Sequence, residues 1–365
     1  MGPEFLCFWD ANLNRAREGL RVIEDFARFV LKEEKATLVL KQLRHQLTRV
    51  ASRVCFERRA LLARASAVDV GAQSYLVSEG SRHAWDELLE ANFNRVGEAL
   101  RCLEEAAKLR SAPTGRQLKR LRFRVYSVEE KLAAGFLRFE RMQKFGRASL
   151  YVVLDARQFR KDLDYAEACR LSLAGGAEII QLRDKRLKGK KLLALAKALA
   201  RQCRKKNALF LVNDRADVAK AVDADGVHLG QGDLPVSVAR ALLGFDKIIG
   251  KSTHSLRQAQ KAVAEGADYL SVGPVFETPS KPGVKAVGLG LVSRVRKRLK
   301  IPFVAVGGID GSNVNRVVAS GASLVAVIRA VVSAPKPKTA AKRLHMLVCA
   351  RKNGKANRCH VSGAG

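Results

Sequence analysis

The sequence predicts an α/β fold in its second half and an all-helical domain in its first. From Leu150 onward, short β-branched runs alternate with helical stretches, a rhythm typical of βαβ units. Eight strands are expected, near 150–154, 178–183, 208–212, 225–229, 247–250, 268–272, 302–306 and 323–327. Eight such units within 147–334 predict a compact (β/α)8, or TIM, barrel. A doubly wound sheet is the alternative, but no Gly-x-Gly-x-x-Gly opens a helix after the first strand.

The domain expected before the barrel, residues 1–145, is predicted to be all-helical and contains an internal repeat. Leu20, Ile23, Phe26 and Val30 recur at helical spacing, and Gly and Pro are scarce. The segment 11–29 returns at 91–109 with a constant offset of 80, so that Ala11-Asn12-Leu13-Asn14-Arg15 is matched by Ala91-Asn92-Phe93-Asn94-Arg95. Two like helical segments that bury apolar faces against each other are the expected arrangement. Helix N-caps at Asn12 and Asn92 are the alternative explanation of these asparagines.

The end of the chain differs in composition from the barrel. Residues 335–365 contain eight Lys or Arg and no acid, which predicts a basic flexible tail. The seven cysteines include no Cys-x-x-Cys pair, which is typical of free thiols in a reducing compartment, so a cytoplasmic protein is expected. We expect neither a signal peptide nor a membrane-spanning segment, and therefore no membrane partner.

The charge balance is strongly basic, with 67 Lys and Arg against 35 Asp and Glu and a formal charge of +32. Such an excess attracts nucleic acid or phosphorylated substrates, or reflects a bias of the whole proteome. No nucleic-acid partner is expected, because no recognisable nucleic-acid-binding module accompanies the charge and the basic residues are spread along the chain. Small phosphorylated molecules are the partners we expect.

In a barrel of this type the active site is built at the carboxyl ends of the strands. The second strand ends in Gln181-Leu182-Arg183-Asp184-Lys185, and strand alternation puts Gln181, Arg183 and Lys185 on one face. An amide with two cations suits a polar ring that carries a phosphate chain. A solvated turn is the alternative interpretation.

Two carboxylates are expected at adjacent strand ends. Asp214 follows the third strand and Asp233 follows the fourth. Mg²⁺ typically takes one or two protein carboxylates and completes its shell with water and substrate phosphates. Either Asp alone could be a helix N-cap, but the two together, beside Asn213, favour a metal site. His228, within the fourth strand, is interpreted as either a packed core residue or a catalytic one.

The later strand ends carry small residues and hydroxyls. The loop Gly273–Pro282 combines Thr278, Ser280 and Lys281 with three prolines, which predicts a phosphate-contacting lid. A rigid surface loop is the alternative. Gly307-Gly308 follows the seventh strand and Ile328-Arg329 the eighth, where backbone amides often hold a phosphate in this fold.

Taken together, residues 150–332 resemble the thiamine-phosphate synthase family. The resemblance is carried by Gln181–Lys185, Asn213-Asp214-Arg215, Ala224–Gln231, Gly250–His254, Gly273–Lys281 and Gly307-Gly308-Ile309. It implies an enzyme that joins 4-amino-2-methyl-5-hydroxymethylpyrimidine diphosphate to 4-methyl-5-(2-phosphoethyl)thiazole, or to its carboxylated form, and releases pyrophosphate. A regulator that only binds thiazole phosphate is the alternative, but it would be expected to have lost the metal carboxylates.

Carried onto this sequence, the resemblance implies two substrate sites and a metal site. The pyrimidine diphosphate would be bound by Gln181, Arg183, Lys185, Asn213, Ser252 and Lys281. The thiazole phosphate would be bound by Thr278, Ser280, Gly308, Ile328 and Arg329, and Mg²⁺ would be held by Asp214 and Asp233. Members of the family usually have Ser where Arg329 stands here, so this phosphate contact departs from the family pattern.

The chemistry that the resemblance implies is electrostatic. No nucleophile–base pair of the kind that covalent catalysis needs is recognised in the sequence. None is needed if the C–O bond breaks first and the aminopyrimidine delocalises the resulting cation. Arg183, Ser252 and Lys281 would be the catalytic residues, and Mg²⁺ would help to stabilise the departing pyrophosphate.

The N-terminal repeat resembles a helical domain fused in front of some thiamine-phosphate synthases. Such domains are associated with an alternative hydroxymethylpyrimidine-phosphate kinase activity, for which Asn12, Arg15, Asn92 and Arg95 are the candidate residues. The chain has no P-loop motif to support a kinase. A non-catalytic dimerisation module, or one that binds a regulator or nucleic acid through its arginines, is the alternative, and a homo-oligomer stays open.

Overall fold

The computed structural model describes residues 2–54, 82, 84–279 and 283–361, with the backbone alone for 351–361. The chain forms two compact units, Met1–Phe136 and Leu137–Gly365. The division lies inside a long helix, earlier than the boundary expected near 145–147. The reason is that the helix continues without interruption through the change of unit, so no linker marks it in the sequence.

The described residues of the first unit form helices joined by short turns, without a strand, as predicted. Helix α1 spans Pro3–Asp25 and continues as a π-helical segment, Phe26–Leu31; α2 spans Glu34–Ala51, α3 Trp85–Lys108 and α4 Ala112–Arg147. The repeated segments form α1 and α3, which pack against each other. At Gly19 a Cβ atom would lie 2.6 Å from Cγ2 of Val96, so this close approach requires glycine.

The two repeated halves of the helical unit also share a buried ion pair, which only the structure shows. Buried Glu24 of α1 accepts a hydrogen bond from Arg44 of α2, with Nε 3.1 Å from Oε2. Buried Glu104 of α3 is bound in the same way by Arg122 of α4, with Nη2 3.0 Å from Oε2. The described part of the unit therefore contains two similar helical hairpins, each held by a buried ion pair between its helices.

The second unit is a closed parallel barrel with strand order β1 to β8, and β1 pairs with β8. Its strands are β1 Leu150–Leu154, β2 Ile179–Leu182, β3 Leu209–Asn213, β4 Gly226–Leu229, β5 Ile248–Thr253, β6 Tyr269–Val272, β7 Phe303–Val306 and β8 Val325–Val327. The predicted (β/α)8 fold is confirmed. Strand β5 ends at Thr253, beyond the expected 250, so that Ser252 lies within a strand.

Helices separate the strands and cover the barrel. They are α5 Tyr165–Ala174, α6 Gly189–Lys205, α7 Ala216–Ala221, α8 Val236–Leu243, α9 Leu256–Ala264, α10 Gly288–Arg298, α11 Val314–Ala319 and α12 Arg329–Val332. Strand alternation divides the apolar residues into an outer layer under the helices and an inner layer inside the barrel. Ile179 and Tyr151 belong to the inner layer, and Gln181, two residues after Ile179, faces the same way.

The interior also receives a side chain from the end of α4. The Phe145 ring lies 4.2 Å from the Tyr269 ring, centroid to centroid, and both side chains are buried. This aromatic contact fills the inner layer of the barrel, and it leaves the opposite end, where the strands finish, for the polar residues.

The basic segment after 334 differs from the expected flexible tail. Helix α13 spans Pro337–Val361, and Ala341, Leu344 and Val348 are buried in the outer layer of the barrel. These three residues recur at helical spacing among the basic ones, and this apolar stripe is what orders the segment. Residues 362–365 lie outside the described part of the chain. Among the helices described, none has the length and apolar character needed to span a membrane.

Candidate active site at the barrel mouth

Two adjoining cavities open at the carboxyl ends of the strands. The smaller has a volume of about 90 Å³ and the larger of about 540 Å³. Ser271, Val306, Ala326 and Ile328 line both of them. The two cavities therefore share walls, and molecules bound in each would lie side by side.

The smaller cavity is polar on one side. It brings together four residues that the family resemblance assigns to the pyrimidine diphosphate: Gln181, Arg183, Asn213 and Ser252. The remaining two residues of that group are not among the described residues found in the cavity. Lys185 does not line the cavity, although its Nζ lies 3.8 Å from Oδ2 of Asp214, and Lys281 lies outside the described residues.

A chain of buried hydrogen bonds runs beneath this cavity. His228 contacts the hydroxyl of Tyr269 at 2.9 Å through Nδ1, and Oγ of Ser252 at 3.0 Å through Nε2. Gln181 donates from Nε2 to the hydroxyl of Tyr151 at 2.6 Å. Burial raises the pKa of both Tyr151 and Tyr269, so each phenol keeps its proton and its capacity to donate. His228 is thus a hydrogen-bonded interior residue that also lines the cavity.

The sequence did not single out Tyr151, Tyr269 or Ser271. Each is a polar residue in an otherwise apolar strand, and each faces inward. A search for polar residues at inward-facing strand positions, and not only after strand ends, would have found them.

Asp155 is a second residue that the sequence did not single out. It follows β1 directly, and its Oδ2 accepts hydrogen bonds from Nη1 of Arg183 and, at 2.7 Å, from Nη2 of Arg157. Burial favours the protonated carboxyl, but the Arg157 hydrogen bond and the Arg183 charge hold the pKa of Asp155 below its ordinary value. Asp155 is therefore ionised and fixes the guanidinium of Arg183 at the cavity. An acid at the first strand end was the available signal.

The two carboxylates predicted as metal ligands meet at the mouth. Asp214 and Asp233 lie within hydrogen-bonding reach of each other, and burial together with Asp233 raises the pKa of Asp214 to about 6. Burial acts in the same direction on Asp233, but hydrogen bonds from Asp214 and from the Gly230 amide, 2.6 Å away, lower its pKa. As pH falls, Asp214 is therefore the member of the pair that takes up a proton first.

This arrangement fits a hard divalent cation. Two facing carboxylates repel each other when both are ionised, and a cation between them removes the repulsion. Asp214 also adopts a left-handed backbone, with φ of 61°, a conformation that is uncommon outside glycine and recurs at functional sites. Among the described residues no group of three or more His, Cys, Asp or Glu is arranged to hold a metal, so the remaining ligands would come from water or substrate.

The larger cavity is lined by Thr278, Gly308, Ile328 and Arg329, four of the five residues assigned to the second substrate. The fifth, Ser280, lies outside the described residues. Gly308 has φ of 64°, and a Cβ atom there would lie 2.6 Å from the carbonyl oxygen of Glu277. Glycine is required at this position both by the backbone and by the close approach of the lid segment.

The candidate residues of the helical unit lie on α1 and α3. Nδ2 of Asn12 donates to the Phe8 carbonyl at 2.9 Å, and Nδ2 of Asn92 donates to the Leu88 carbonyl at 2.8 Å. Both asparagines are inside their helices, so the N-cap interpretation is wrong. Arg15 and Arg95 are exposed.

The fold and the mouth define a class: a (β/α)8-barrel enzyme that acts on small phosphorylated molecules. The model of the family described as "Thiamine monophosphate synthase" matches residues 150–331. A thiamine-phosphate synthase of Synechocystis sp. is 44% identical over 335 residues, which cover 92% of this chain and 94% of that one. A second, of Nostoc sp., is 44% identical over 328 residues, 90% of each chain. The chain belongs to the thiamine-phosphate synthase family, whose members are transferases of thiamine biosynthesis.

Further comparisons separate the two units. A solved thiamine phosphate pyrophosphorylase from Pyrococcus furiosus is 38% identical, with a TM-score of 0.53, and covers 57% of this chain and 98% of that one. The model described as "ThiD2 family" matches residues 8–131, within the helical unit. The resemblance stated for both halves of the sequence is confirmed.

Proposed function

We propose that the barrel transfers the pyrimidinylmethyl group of hydroxymethylpyrimidine diphosphate to the nitrogen of a thiazole phosphate, or of its carboxylated form. The observation that supports this most is the shared wall of the two cavities. Residues assigned to the diphosphate line the smaller cavity, and residues assigned to the thiazole phosphate line the larger one. Substrates bound in this way lie in contact, as a direct transfer requires.

In the proposed reaction the C–O bond to the diphosphate breaks first, and both electrons leave with pyrophosphate. Arg183, oriented by Asp155, and Lys281 carry positive charge for the leaving group, and Ser252 donates a hydrogen bond to it. Asp214 and Asp233 would hold Mg²⁺, which when bound would supply charge neutralisation for the pyrophosphate. The thiazole nitrogen then donates its electron pair to the exocyclic carbon, which restores a neutral aminopyrimidine ring and forms thiamine phosphate. With the carboxylated thiazole, the carboxyl group must also leave as CO₂.

The polar groups that line the smaller cavity orient the aminopyrimidine ring. Hydrogen-bond donors and acceptors are offered there by Gln181, Asn213 and His228. A fixed polar surface beside the ring suits a substrate whose positive charge is spread over it in the transition state.

In this proposal the thiazole phosphate is bound by Thr278, Ser280, Gly308, Ile328 and Arg329. The turn through Gly307 and Gly308 presents backbone amides to a phosphate, and Arg329 adds a guanidinium to that contact. Ile328 lines both cavities and packs between the two rings.

The test is Asp214→Ala in a coupling assay with purified substrates and Mg²⁺. We expect the rate to collapse while the circular dichroism spectrum is retained, and the rise of the melting temperature caused by Mg²⁺ to disappear. Asp217→Ala, which removes an exposed partner of Arg215 in the first turn of α7, is the matched control and should keep both. A parental rate in the Asp214→Ala variant would refute the metal assignment.

We also propose that the helical unit phosphorylates hydroxymethylpyrimidine phosphate and so supplies the barrel with its substrate. The match of residues 8–131 to the ThiD2 family supports this. A phosphate oxygen of the monophosphate would attack the γ-phosphorus of ATP, and ADP would leave. The test uses the full chain carrying Asp214→Ala, in which diphosphate should accumulate from the monophosphate, ATP and Mg²⁺. No product, together with a dimer by light scattering, would instead favour a dimerisation module.

A further inference from the structure

A basic groove lies in the helical unit, away from the repeated Asn-x-Asn-Arg segments. It has a volume of about 370 Å³ and runs between the end of α2 and the first half of α4. We define the arginine groove by its eight lining residues: Gln46, Arg49, Val50, Arg53, Gln117, Arg120, Leu121 and Arg124. The groove is therefore lined by four arginines and by no carboxylate, and its volume is typical of small-ligand sites.

The arginines of the groove differ from their neighbours on the same helices. Arg44 and Arg122 are neutralised by buried Glu24 and Glu104. Within the part of the chain that the structure describes, Arg49 and Arg120 have no side-chain hydrogen bond or ion pair. The same two helices thus carry arginines that hold the fold together and arginines that do not.

The other two guanidiniums are held by neutral groups. Arg53 donates from Nη1 to Oε1 of Gln117 at 2.9 Å, and Arg124 donates to Oε1 of Gln46. Each bond links α4 to the other side of the groove, which is formed by α2 and by the turn that follows it. The amides fix the direction of two guanidiniums without cancelling their charge, which leaves the positive potential of the groove available to a ligand.

We propose that the arginine groove binds the polyphosphate chain of a nucleoside triphosphate. Guanidinium forks match phosphate oxygens in pairs, and several close together suit a chain that carries several negative charges. Val50 and Leu121 add an apolar surface against which a nucleotide ring can pack. The inference rests on the proposed kinase function, for which the groove is the site of the phosphoryl donor.

The size of the groove favours a nucleotide over a nucleic-acid strand. Its eight residues come from the end of α2, the turn after it and the first half of α4, and they line one short open groove instead of a long stripe. A strand needs a track of positive charge that follows successive phosphates. An oligonucleotide is therefore an alternative outcome of the test.

The experiment measures binding of a non-hydrolysable ATP analogue, with Mg²⁺, to the full chain carrying Asp214→Ala, so that the metal site of the barrel does not contribute. Arg49→Gln with Arg120→Gln removes two groove charges. Neither arginine side chain has a hydrogen bond or ion pair with another described residue. We expect the affinity to fall by about tenfold or more, because charge-assisted hydrogen bonds are lost. Arg49→Lys with Arg120→Lys should recover part of it, since charge returns without the fork.

Lys41→Gln with Lys119→Gln is the matched control, because it removes one exposed charge from each of the same two helices outside the groove. It should leave the affinity within about twofold of the parent, as expected for screened surface charges. Unchanged binding in the groove variant, or equal loss in the control, would overturn the proposal. So would an oligonucleotide that binds the groove more tightly than the analogue.

The kinase assay distinguishes this inference from the function on which it rests. Phosphorylation with an unchanged KM for ATP in the groove variant would overturn the groove and leave the kinase standing. Binding of the analogue through the groove without any phosphorylation would remove the kinase and leave a nucleotide site.

Discussion

Arg183 donates a hydrogen bond from Nη1 to Oδ2 of Asp155, so that the cation at the second strand end is held by an acid at the first. The same Oδ2 is 2.7 Å from Nη2 of Arg157. A buried carboxylate shared by two guanidiniums restricts the position of both. Arg183 is therefore held in place where it lines the smaller cavity.

Asp155→Asn should reduce kcat/KM of the coupling reaction by up to about 100-fold, since a displaced catalytic group can lose this much. The loss should appear mainly in kcat, because Arg183 would remain near the substrate but out of position. Steady-state kinetics with both substrates varied would measure it. Asp162→Asn breaks an exposed Arg160–Asp162 pair and is the control, for which parental kinetics are expected. Parental kcat in Asp155→Asn would show that Arg183 needs no such support.

Activity should depend on the Asp214–Asp233 pair through pH. The pKa of Asp214 is raised to about 6, so below that pH the carboxyl is protonated. The proton then competes with Mg²⁺ for the carboxylate. A rate that falls with decreasing pH near 6, and that recovers when Mg²⁺ is increased, is the expected result. A fall that added Mg²⁺ does not reverse would place the titration on another group.

The same pair has the opposite effect on the stability of the metal-free protein. The folded state binds a proton at Asp214 that the unfolded state releases at an ordinary carboxyl pKa, so this contribution to stability decreases as pH rises through about 6. Asp214→Asn should therefore raise the melting temperature in EDTA above pH 6, and less so in more acidic buffer. An effect that is equal in both buffers would contradict the assigned pKa.

Glu104 and Glu105 provide neighbouring tests of the helical unit. Glu104 is 2% exposed and bound by Arg122, whereas Glu105 pairs with Lys108 at the surface. Glu104→Ala leaves the charge of half-buried Arg122 without its partner, and breaking such a pair costs about 3–5 kcal/mol of unfolding free energy. Glu105→Ala should leave the denaturation midpoint of the unit unchanged. Urea titration followed by circular dichroism compares them, and similar midpoints would contradict a structural role for the buried pair.

Gly308 is required by the backbone, whereas Gly290 can be replaced by alanine. Gly308→Ala places a side chain on a left-handed backbone, at a cost of about 1–2 kcal/mol, and should also raise KM for the thiazole phosphate. Gly290 lies in α10, and a Cβ there meets nothing within 4 Å. Gly290→Ala should stabilise the barrel by about 0.5–1 kcal/mol because helical glycine is unfavourable. Thermal unfolding and kinetics would show whether the two alanines have opposite effects, as expected.

Much of the barrel could be read from the chain because its signals are local. Runs such as Leu150–Leu154 and Ile179–Leu182 are continuously apolar, as strands covered on both faces must be. The parallel arrangement then brings the ends of β3 and β4 to the same mouth, so the meeting of Asp214 and Asp233 was predictable from position alone.

The features that the sequence missed depend on contacts between distant residues. Asp155 and Arg183 are 28 positions apart, and Tyr151 and Tyr269 are 118 apart. The order of α13 was missed for the same reason. Its apolar stripe is short and set among basic residues. The stripe becomes a buried helix face only because it packs in the outer layer of the barrel.

The sequence by itself determined the two-part organisation, the eight-stranded barrel, the internal repeat and most residues at the mouth. These follow from periodicity, from strand ends and from family motifs, which are all properties of neighbouring residues. Tertiary structure alone decided that the two cavities share walls, that Asp155 fixes Arg183, and that Arg49 and Arg120 face one groove without a carboxylate. These are distances between side chains brought together by folding, and no pattern along the chain encodes them.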